Sequence, residues 1–236
     1  MFVVTDWMAD DEAHRKVIED ETGKHAYLTW PELREMAASG DLTSWRPEST
    51  AGRWDDEDAR VLASTFGAMT SSLARFQRAP AAKKLHHAYV GGLIEHTLSM
   101  AGMAERTAAH YPLIDRDMLL AGVLLHDVAK TEEYAYDRPP IGYTDRGRLV
   151  GHLVLGAEMV RRAAERTGGM SAERVDQLTH LILSHHGQLA YGSPVLPMTP
   201  EAMLLHHLDD MDAKMQCMVE LRRRMPGSGW QWSDYQ

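Results

Sequence analysis

The stretch DMLLAGVLLHDVAK, Asp117–Lys130, decides the fold, because its apolar residues run almost unbroken until a histidine and an aspartate appear together. A helix with so little polarity around its circumference belongs in the interior of a protein. We therefore predict a buried central helix over 117–130. Lys130 lies three residues beyond Asp127, on the same helix face, where it is placed to meet a phosphate oxygen.

Further helices are predicted on both sides of this segment, from apolar residues that recur every three to four positions and from capping signals. They span residues 55–78, 93–110, 149–167, 172–186 and 200–225. Ser171 and Thr199 are the predicted N-caps of the last two, and Pro200 suits the first helical position. No strand-like alternation of any length is present, so the predicted fold class is all-α.

The chain divides into three parts by composition. Residues 1–54 hold four of the six tryptophans and form a small N-terminal segment, residues 55–225 form the helical domain, and residues 226–236 form a flexible tail. The tryptophans of the first part either stack on bases or form the core of a small module.

The charge balance bears on the class of function. Lys and Arg number 25 against 34 Asp and Glu, a net charge of −9, which argues against a protein that coats nucleic acid electrostatically. An enzyme that handles phosphates at a metal-neutralised site remains compatible with that charge. Cys217 is the single cysteine, no secretory leader is recognisable, and no apolar run reaches the length of a spanning helix. We therefore expect a cytoplasmic protein with no membrane partner.

Histidines are concentrated in one part of the chain, and several lie at the ends of predicted helices. Eleven of the thirteen fall between His86 and His207. Unpaired polar groups are costly to bury, so such residues beside apolar faces indicate that something binds them. Mixed imidazole and carboxylate ligands suit Mn²⁺, Fe²⁺, Co²⁺ or Zn²⁺ better than Mg²⁺ or Ca²⁺. The candidates are His96, His126, Asp127, His152, His185, His186 and Asp209.

The combination of His96, His126-Asp127 and Asp209 resembles the signature of the HD-domain metal-dependent phosphohydrolases. Longer stretches are similar to the YhaM-type 3′-to-5′ exoribonucleases: Pro80–His96, Tyr143–His152, Ser184–Gly187 and Gly192–Glu201. The resemblance covers roughly residues 55–220. It implies a helical HD fold, a divalent metal centre in which manganese is usual, and release of nucleotides from the 3′ end of RNA.

The resemblance also implies roles for the candidate residues. His96, His126, Asp127 and Asp209 would hold a first metal, and Asp127 would bridge to a second one completed by His152 and by His185 or His186. Two such ions activate a water for in-line attack on a phosphodiester.

Several residues are expected around these ligands. Asp212 and His206 share a helix face with Asp209, and Asp212 is expected to orient a ligand or form a salt bridge. Arg146 and Arg148 border the loop before His152, where they either meet RNA phosphates or form a solvated loop. His87 either contacts a substrate phosphate or packs within its connector.

Residues 1–54 differ from the family's pattern, since they are too short and too little strand-like for the OB-fold that such enzymes carry at their N-terminus. This difference favours weak retention of RNA and makes a nucleotide phosphohydrolase acting on free nucleotides an alternative. A second alternative is an HD-fold regulatory module without turnover, against which the full set of ligand-type residues argues. The expected substrate is thus single-stranded RNA or a nucleotide, and no oligomeric state is predicted.

Overall fold

The computed structural model describes residues 73–84 and 86–225, together with residues 227, 230 and 232. The predictions for residues 1–54, and for the helix between 55 and 72, lie outside the described residues, as does most of the predicted tail. Within the described part the architecture is helical, as predicted. The helices are α1 (Leu73–Arg78), α2 (Gly92–His110), α3 (Arg116–Leu125), α4 (Lys130–Glu133), α5 (Asp145–Thr167), α6 (Ala172–Ser184) and α7 (Pro200–Arg224).

Helix α3 lies at the centre, because almost every side chain from Met118 to Leu125 is buried and α2, α6 and α7 pack around it. Its N-terminus is capped by Asp115, whose carboxylate accepts a hydrogen bond from the backbone N–H of Met118 at 3.0 Å. A Cβ atom at Gly122 would lie 2.3 Å from Leu181 Cδ2 on α6. Glycine therefore permits the close approach of these two helices, which brings their C-terminal ends together.

Two helix starts agree with the capping signals in the sequence. The Ser171 hydroxyl accepts from the backbone N–H of Arg174 at the start of α6, and the Thr199 hydroxyl accepts from that of Ala202 at the start of α7. Helix α7 then runs to Arg224, one residue short of the predicted end.

The predicted helix over 117–130 is wrong at its C-terminal end. Helix α3 stops at Leu125, and the backbone then tightens, with N–H groups of Val128 and Lys130 bonded to carbonyls three residues earlier. The tightening turns His126 and Asp127 into the interior together.

The prediction for α5 is wrong at the other end, because the helix begins at Asp145 rather than Leu149. Thr144 caps it by accepting from the Gly147 N–H at 2.8 Å. The backbone of Gly151 then interrupts it with φ 76° and ψ 155°. Such a conformation is essentially restricted to glycine, and it makes His152 the first residue of the second helical part.

One small β-element was not predicted. Two-residue strands β1 (Tyr134–Ala135) and β2 (Gly142–Tyr143) pair antiparallel, with Tyr134 opposite Tyr143. Strands of this length are too short to produce a visible alternation of apolar and polar residues. A separate observation concerns membranes: within the described part of the chain, every helix is too short or too polar to span a bilayer.

Candidate metal centre

The structure brings the seven candidate residues together from five elements. His96 comes from α2, His126 and Asp127 from the turn after α3, and His152 from the break in α5. His185 and His186 follow the end of α6, and Asp209 lies in α7. Among the described residues, four groups place one potential ligand atom per residue within 4.8 Å of one another: His96/His126/Asp127, His126/His185/Asp209, His152/His185/His186 and His87/His96/Asp212.

Two of the histidines are oriented by helix ends. His126 and His185 each follow the last residue of a helix, and each directs Nδ1 at the carbonyl three residues earlier, Val123 O at 2.9 Å and Ile182 O at 2.7 Å. The last carbonyls of a helix have no partner within it, so these two imidazoles satisfy them. A carbonyl can only accept, so Nδ1 donates in both rings and Nε2 is the nitrogen directed at the cluster.

Two further histidines are oriented by buried carboxylates. His96 Nδ1 donates to Asp212 Oδ2 at 2.7 Å, and His152 Nδ1 donates to Glu133 Oε1 at 3.0 Å. Partners of this kind are typical of metal-binding histidines, because they set the tautomer and the ring orientation. Asp212 fulfils the orienting role predicted from its position on α7, and it also accepts hydrogen bonds from His87 and Ser99.

Sequence reasoning missed Glu133. Its carboxylate accepts from both the backbone N–H and the Nδ1 of His152, at 3.1 and 3.0 Å, although 19 residues separate the two. The side chain is buried, and the double contact fixes His152 just after the break at Gly151. The sequence signal for this residue was weak: two adjacent acidic residues, Glu132 and Glu133, follow shortly after Lys130.

The two oxygens of Asp127 face different histidines. Oδ2 lies 3.4 Å from His126 Nε2 and 3.9 Å from His96 Nε2, whereas Oδ1 lies 3.4 Å from His152 Nε2 and 3.6 Å from His185 Nε2. Asp209 Oδ1 lies 3.2 Å from His96 Nε2, on the Oδ2 side. The carboxylate of Asp127 therefore divides the cluster into two halves.

Several atoms at the centre lack the partner that burial demands. Within the part of the chain that the structure describes, Asp127 Oδ1, His152 Nε2 and His185 Nε2 are buried without a hydrogen-bond partner, and His96 Nε2 lies 3.3 Å from His126 Nε2. The rings of His152 and His185 already donate from Nδ1, and burial lowers the pKa of both, so their Nε2 atoms present lone pairs to Asp127 Oδ1. Such an arrangement is unfavourable unless an electrophile lies among them. The donor set, neutral imidazoles with carboxylates, fits a divalent transition-metal ion.

The electrostatics of the acidic side chains also favour positive charge at this place. Burial alone would raise the pKa of Asp127, but Lys130, with Nζ 2.5 Å from Oδ2, and His126 hold it well below its usual range. Burial would lower the pKa of the Lys130 ammonium, but the negative charges of Asp127 and Asp209 raise it instead. Asp127 and Lys130 are therefore charged at neutral pH.

The histidine pKa values divide into two sets. Burial would lower the pKa of His96, but hydrogen bonds to Asp209 and Asp212 raise it to about 9, so these carboxylates favour positive charge on that ring. Burial lowers the pKa of His186, whose Nδ1 lies 2.9 Å from Tyr191 O, to about 4. Burial also lowers the pKa of His86, beside His96, to about 4. Their unprotonated rings remain available as electron-pair donors.

The residues predicted to contact substrate lie in different environments. His87 is buried with φ 51°, and its ring contacts Asp212 Oδ2 at 3.0 Å and Tyr89 Oη at 3.1 Å. Both of its ring nitrogens therefore contact other side chains of the protein, a geometry that favours the packing alternative. Arg146 is exposed and paired with two carboxylates, and Arg148 is exposed beside the ring of Tyr143.

Comparison with known proteins places this geometry in a family. The HD domain matches residues 93–214, a segment that contains all seven candidate ligands. Curated relatives named 3′-5′ exoribonuclease YhaM include those of Bacillus velezensis and Bacillus subtilis, each 45% identical over 157 residues, which is 65% of this chain and 49% of the relative. The protein of that name from Geobacillus sp. is 42% identical over 151 residues, covering 63% and 45%.

The chain spans about half the length of the curated relatives it matches. No solved structure matches it significantly. The family match covers more than half of the chain and coincides with the helices that carry the histidine and aspartate cluster. The chain belongs to the HD-domain family.

Proposed function

We propose that this protein is a metal-dependent phosphodiesterase that removes nucleotides from the 3′ end of single-stranded RNA. The observation that carries the proposal is the convergence of buried imidazole nitrogens on the two oxygens of Asp127, within an HD domain similar to proteins named exoribonucleases. HD domains bind divalent metals, and phosphodiester cleavage by such ions needs no nucleophile from the protein.

The division of the cluster supports two ions. His96, His126, Asp127 and Asp209 would hold the first, and His152 with His185 or His186 would hold the second, with Asp127 common to both. Mn²⁺ is the proposed ion, because manganese is usual in the enzymes that the sequence resembles and the mixed imidazole and carboxylate donors are compatible with it, as they are with Fe²⁺, Co²⁺ or Zn²⁺. When bound, two such ions supply an activated water and neutralise charge on the phosphoryl oxygens.

The residues of the chain prepare the site for this chemistry. Asp212 and Glu133 hold the rings of His96 and His152 so that Nε2 of each faces Asp127, and those rings need not reorient when the site fills. We assign Lys130 to a phosphoryl oxygen, because its raised pKa keeps the ammonium charged and its Nζ already lies at Asp127. Lys130 thus places one positive charge of the protein itself beside the reacting group.

The test uses one oligoribonucleotide labelled in turn at each end, with purified protein and Mn²⁺. The 3′-labelled strand is expected to release a labelled mononucleotide in the first turnover, whereas the 5′-labelled strand shortens from its far end. The Asp127→Ala variant is the inactive control, and a panel of free nucleotides is assayed in parallel. Release of label first from the 5′ end, or hydrolysis of free nucleotides in preference to the strand, would refute the proposal.

A further inference from the structure

A surface cluster beside the metal centre gathers two cations around one tyrosine ring. Lys83 Nζ lies 5.0 Å from the centroid of the Tyr143 ring, and the guanidinium carbon of Arg148 lies 5.6 Å from the same centroid. The two charges are therefore no farther apart than the sum of these distances. Like charges repel at such separations, and the face of an aromatic ring offsets part of that repulsion.

Neither cation is neutralised by a carboxylate within the part of the chain that the structure describes. Their neighbour Arg146 behaves differently, since it pairs with Glu132 at 2.5 Å and with Glu158 at 3.2 Å. In a protein of net charge −9, the two cations form a local concentration of positive charge. They provide a place for an anionic group of a ligand.

The ring that gathers them is held in place by the backbone. Tyr143 pairs with Tyr134 across the two strands, and their rings pack with centroids 5.3 Å apart. Tyr134 directly follows Glu133, the partner of His152. Tyr143 is 37% exposed, so one part of the ring packs inward and the other reaches the solvent.

The cluster lies at the edge of the candidate metal centre. Arg148 precedes His152 by four residues on α5, and Lys83 precedes His86 by three residues in the connector between α1 and α2. The His86 ring lies 6.0 Å from the ring of His96. Two segments that flank the centre, the connector and the start of α5, therefore meet at the ring of Tyr143.

We propose that Lys83, Arg148 and Tyr143 form a phosphate clamp that binds the backbone of a single-stranded nucleic acid on its way to the metal centre. The inference rests on the proposed function, because it assigns the clamp to the same substrate. The ligand chemistry is the phosphodiester anion away from the bond that is cleaved. The ring of Tyr143 positions the two cations, and the phosphodiester groups of the bound strand neutralise their charge.

The size of the effect follows from the release of counterions. Each phosphate contact on a single strand contributes about 0.7 to the slope of log affinity against log salt, which corresponds to about fivefold in affinity at 0.1 M salt relative to 1 M. Lys83→Ala and Arg148→Ala are each expected to lower kcat/KM on a 12-nucleotide RNA by about that factor at 0.1 M salt. Each is also expected to make the salt slope shallower by about 0.7.

Three comparisons make the test specific. Bis(p-nitrophenyl) phosphate has a single phosphodiester and does not extend to the clamp, so the variants should hydrolyse it as the wild type does. Arg161→Ala is the matched control, because Arg161 is an exposed arginine on the same helix that is paired with Asp176. Tyr143→Phe should behave as the wild type, whereas Tyr143→Leu should reproduce part of the loss, because leucine lacks the ring face.

The outcomes separate the clamp from the proposed function. Binding of a fluorescent 12-nucleotide RNA, measured by anisotropy across a salt series, reports on the clamp even if the protein hydrolyses nothing. A reduced salt slope in both variants supports the clamp in either case. Unchanged binding and turnover on the RNA would overturn it, and so would an equal loss on the RNA and the small ester. The two variants should bind a DNA strand of the same length more weakly by the same factor. A loss of affinity confined to RNA would indicate a contact to the 2′-hydroxyl group and would overturn the phosphate clamp.

Discussion

Glu133→Gln tests whether the carboxylate behind His152 tunes the metal site. The carboxylate accepts two hydrogen bonds from His152, through the backbone N–H at 3.1 Å and through Nδ1 at 3.0 Å. Glutamine keeps the volume and one acceptor oxygen but removes the charge. A hydrogen bond to a charged group contributes about 1.5–3 kcal/mol and a neutral one about 0.5–1.5 kcal/mol. The expected loss is therefore about 1–1.5 kcal/mol, or about tenfold in the affinity of the ion bound by His152.

The measurement is a calorimetric titration of the chelator-treated protein with Mn²⁺, which reports on affinity without relying on turnover. Glu132→Gln is the matched control, because Glu132 is the adjacent residue and its carboxylate pairs with Arg146 at the surface. A surface pair of this kind contributes about 0–1 kcal/mol and does not touch the cluster. The melting temperature of the metal-free Glu133→Gln protein should stay close to that of the wild type. If both variants bound Mn²⁺ with the wild-type affinity, Glu133 would have no role in the site.

Three further predictions concern the centre itself. Asp127→Ala should remove nearly all hydrolysis of a labelled RNA, because both halves of the cluster share this carboxylate, and near-normal hydrolysis by this variant would refute the site. Lys130→Ala should retain about a tenth to a hundredth of the wild-type rate. Chelation of the metal-loaded protein should lower the melting temperature by about 5–10 °C, because an ion whose free concentration is about a hundred times its Kd stabilises the fold by about 2.7 kcal/mol. An unchanged melting curve would contradict a bound ion. Gly151→Ala should reduce the free energy of unfolding by about 1–3 kcal/mol, since φ 76° with ψ 155° is essentially restricted to glycine. Chemical denaturation measures this loss, and an unfolding midpoint equal to that of the wild type would show that the backbone at this position can relax.

Local signals in the sequence determined where most helices begin and what type of fold they build. Thr199 followed by Pro200 marked the start of α7, and Ser171 marked the start of α6, because a capping side chain bonds to a backbone N–H three residues away. The apolar run after Asp117 likewise predicted that α3 is the buried centre. Information of this kind is contained in a few adjacent residues, so no tertiary contact is needed to interpret it.

The same local reasoning failed at the end of α3 and at the start of α5. The segment after Leu125 has the residues of a continuing helix, yet the ring of His126 bonds back to Val123 and the backbone tightens instead. The early start of α5 depends on Thr144, whose N–H and hydroxyl also bond to the carbonyls of Glu133 and Glu132. Competition between a local preference and a distant partner is decided only when the partner is in place.

The sequence by itself determined which residue types could form a metal site and that most of them lie near helix ends. Only the tertiary structure decided how they are paired: the two oxygens of Asp127 face different histidines, Asp212 orients His96 across 116 residues, and Lys83 meets Arg148 at the ring of Tyr143. The physical reason is that these contacts depend on the packing of α2, α5, α6 and α7 around α3, which sets distances between side chains far apart in the chain. Residue types limit the chemistry available to a site, and packing selects the atoms that carry it out.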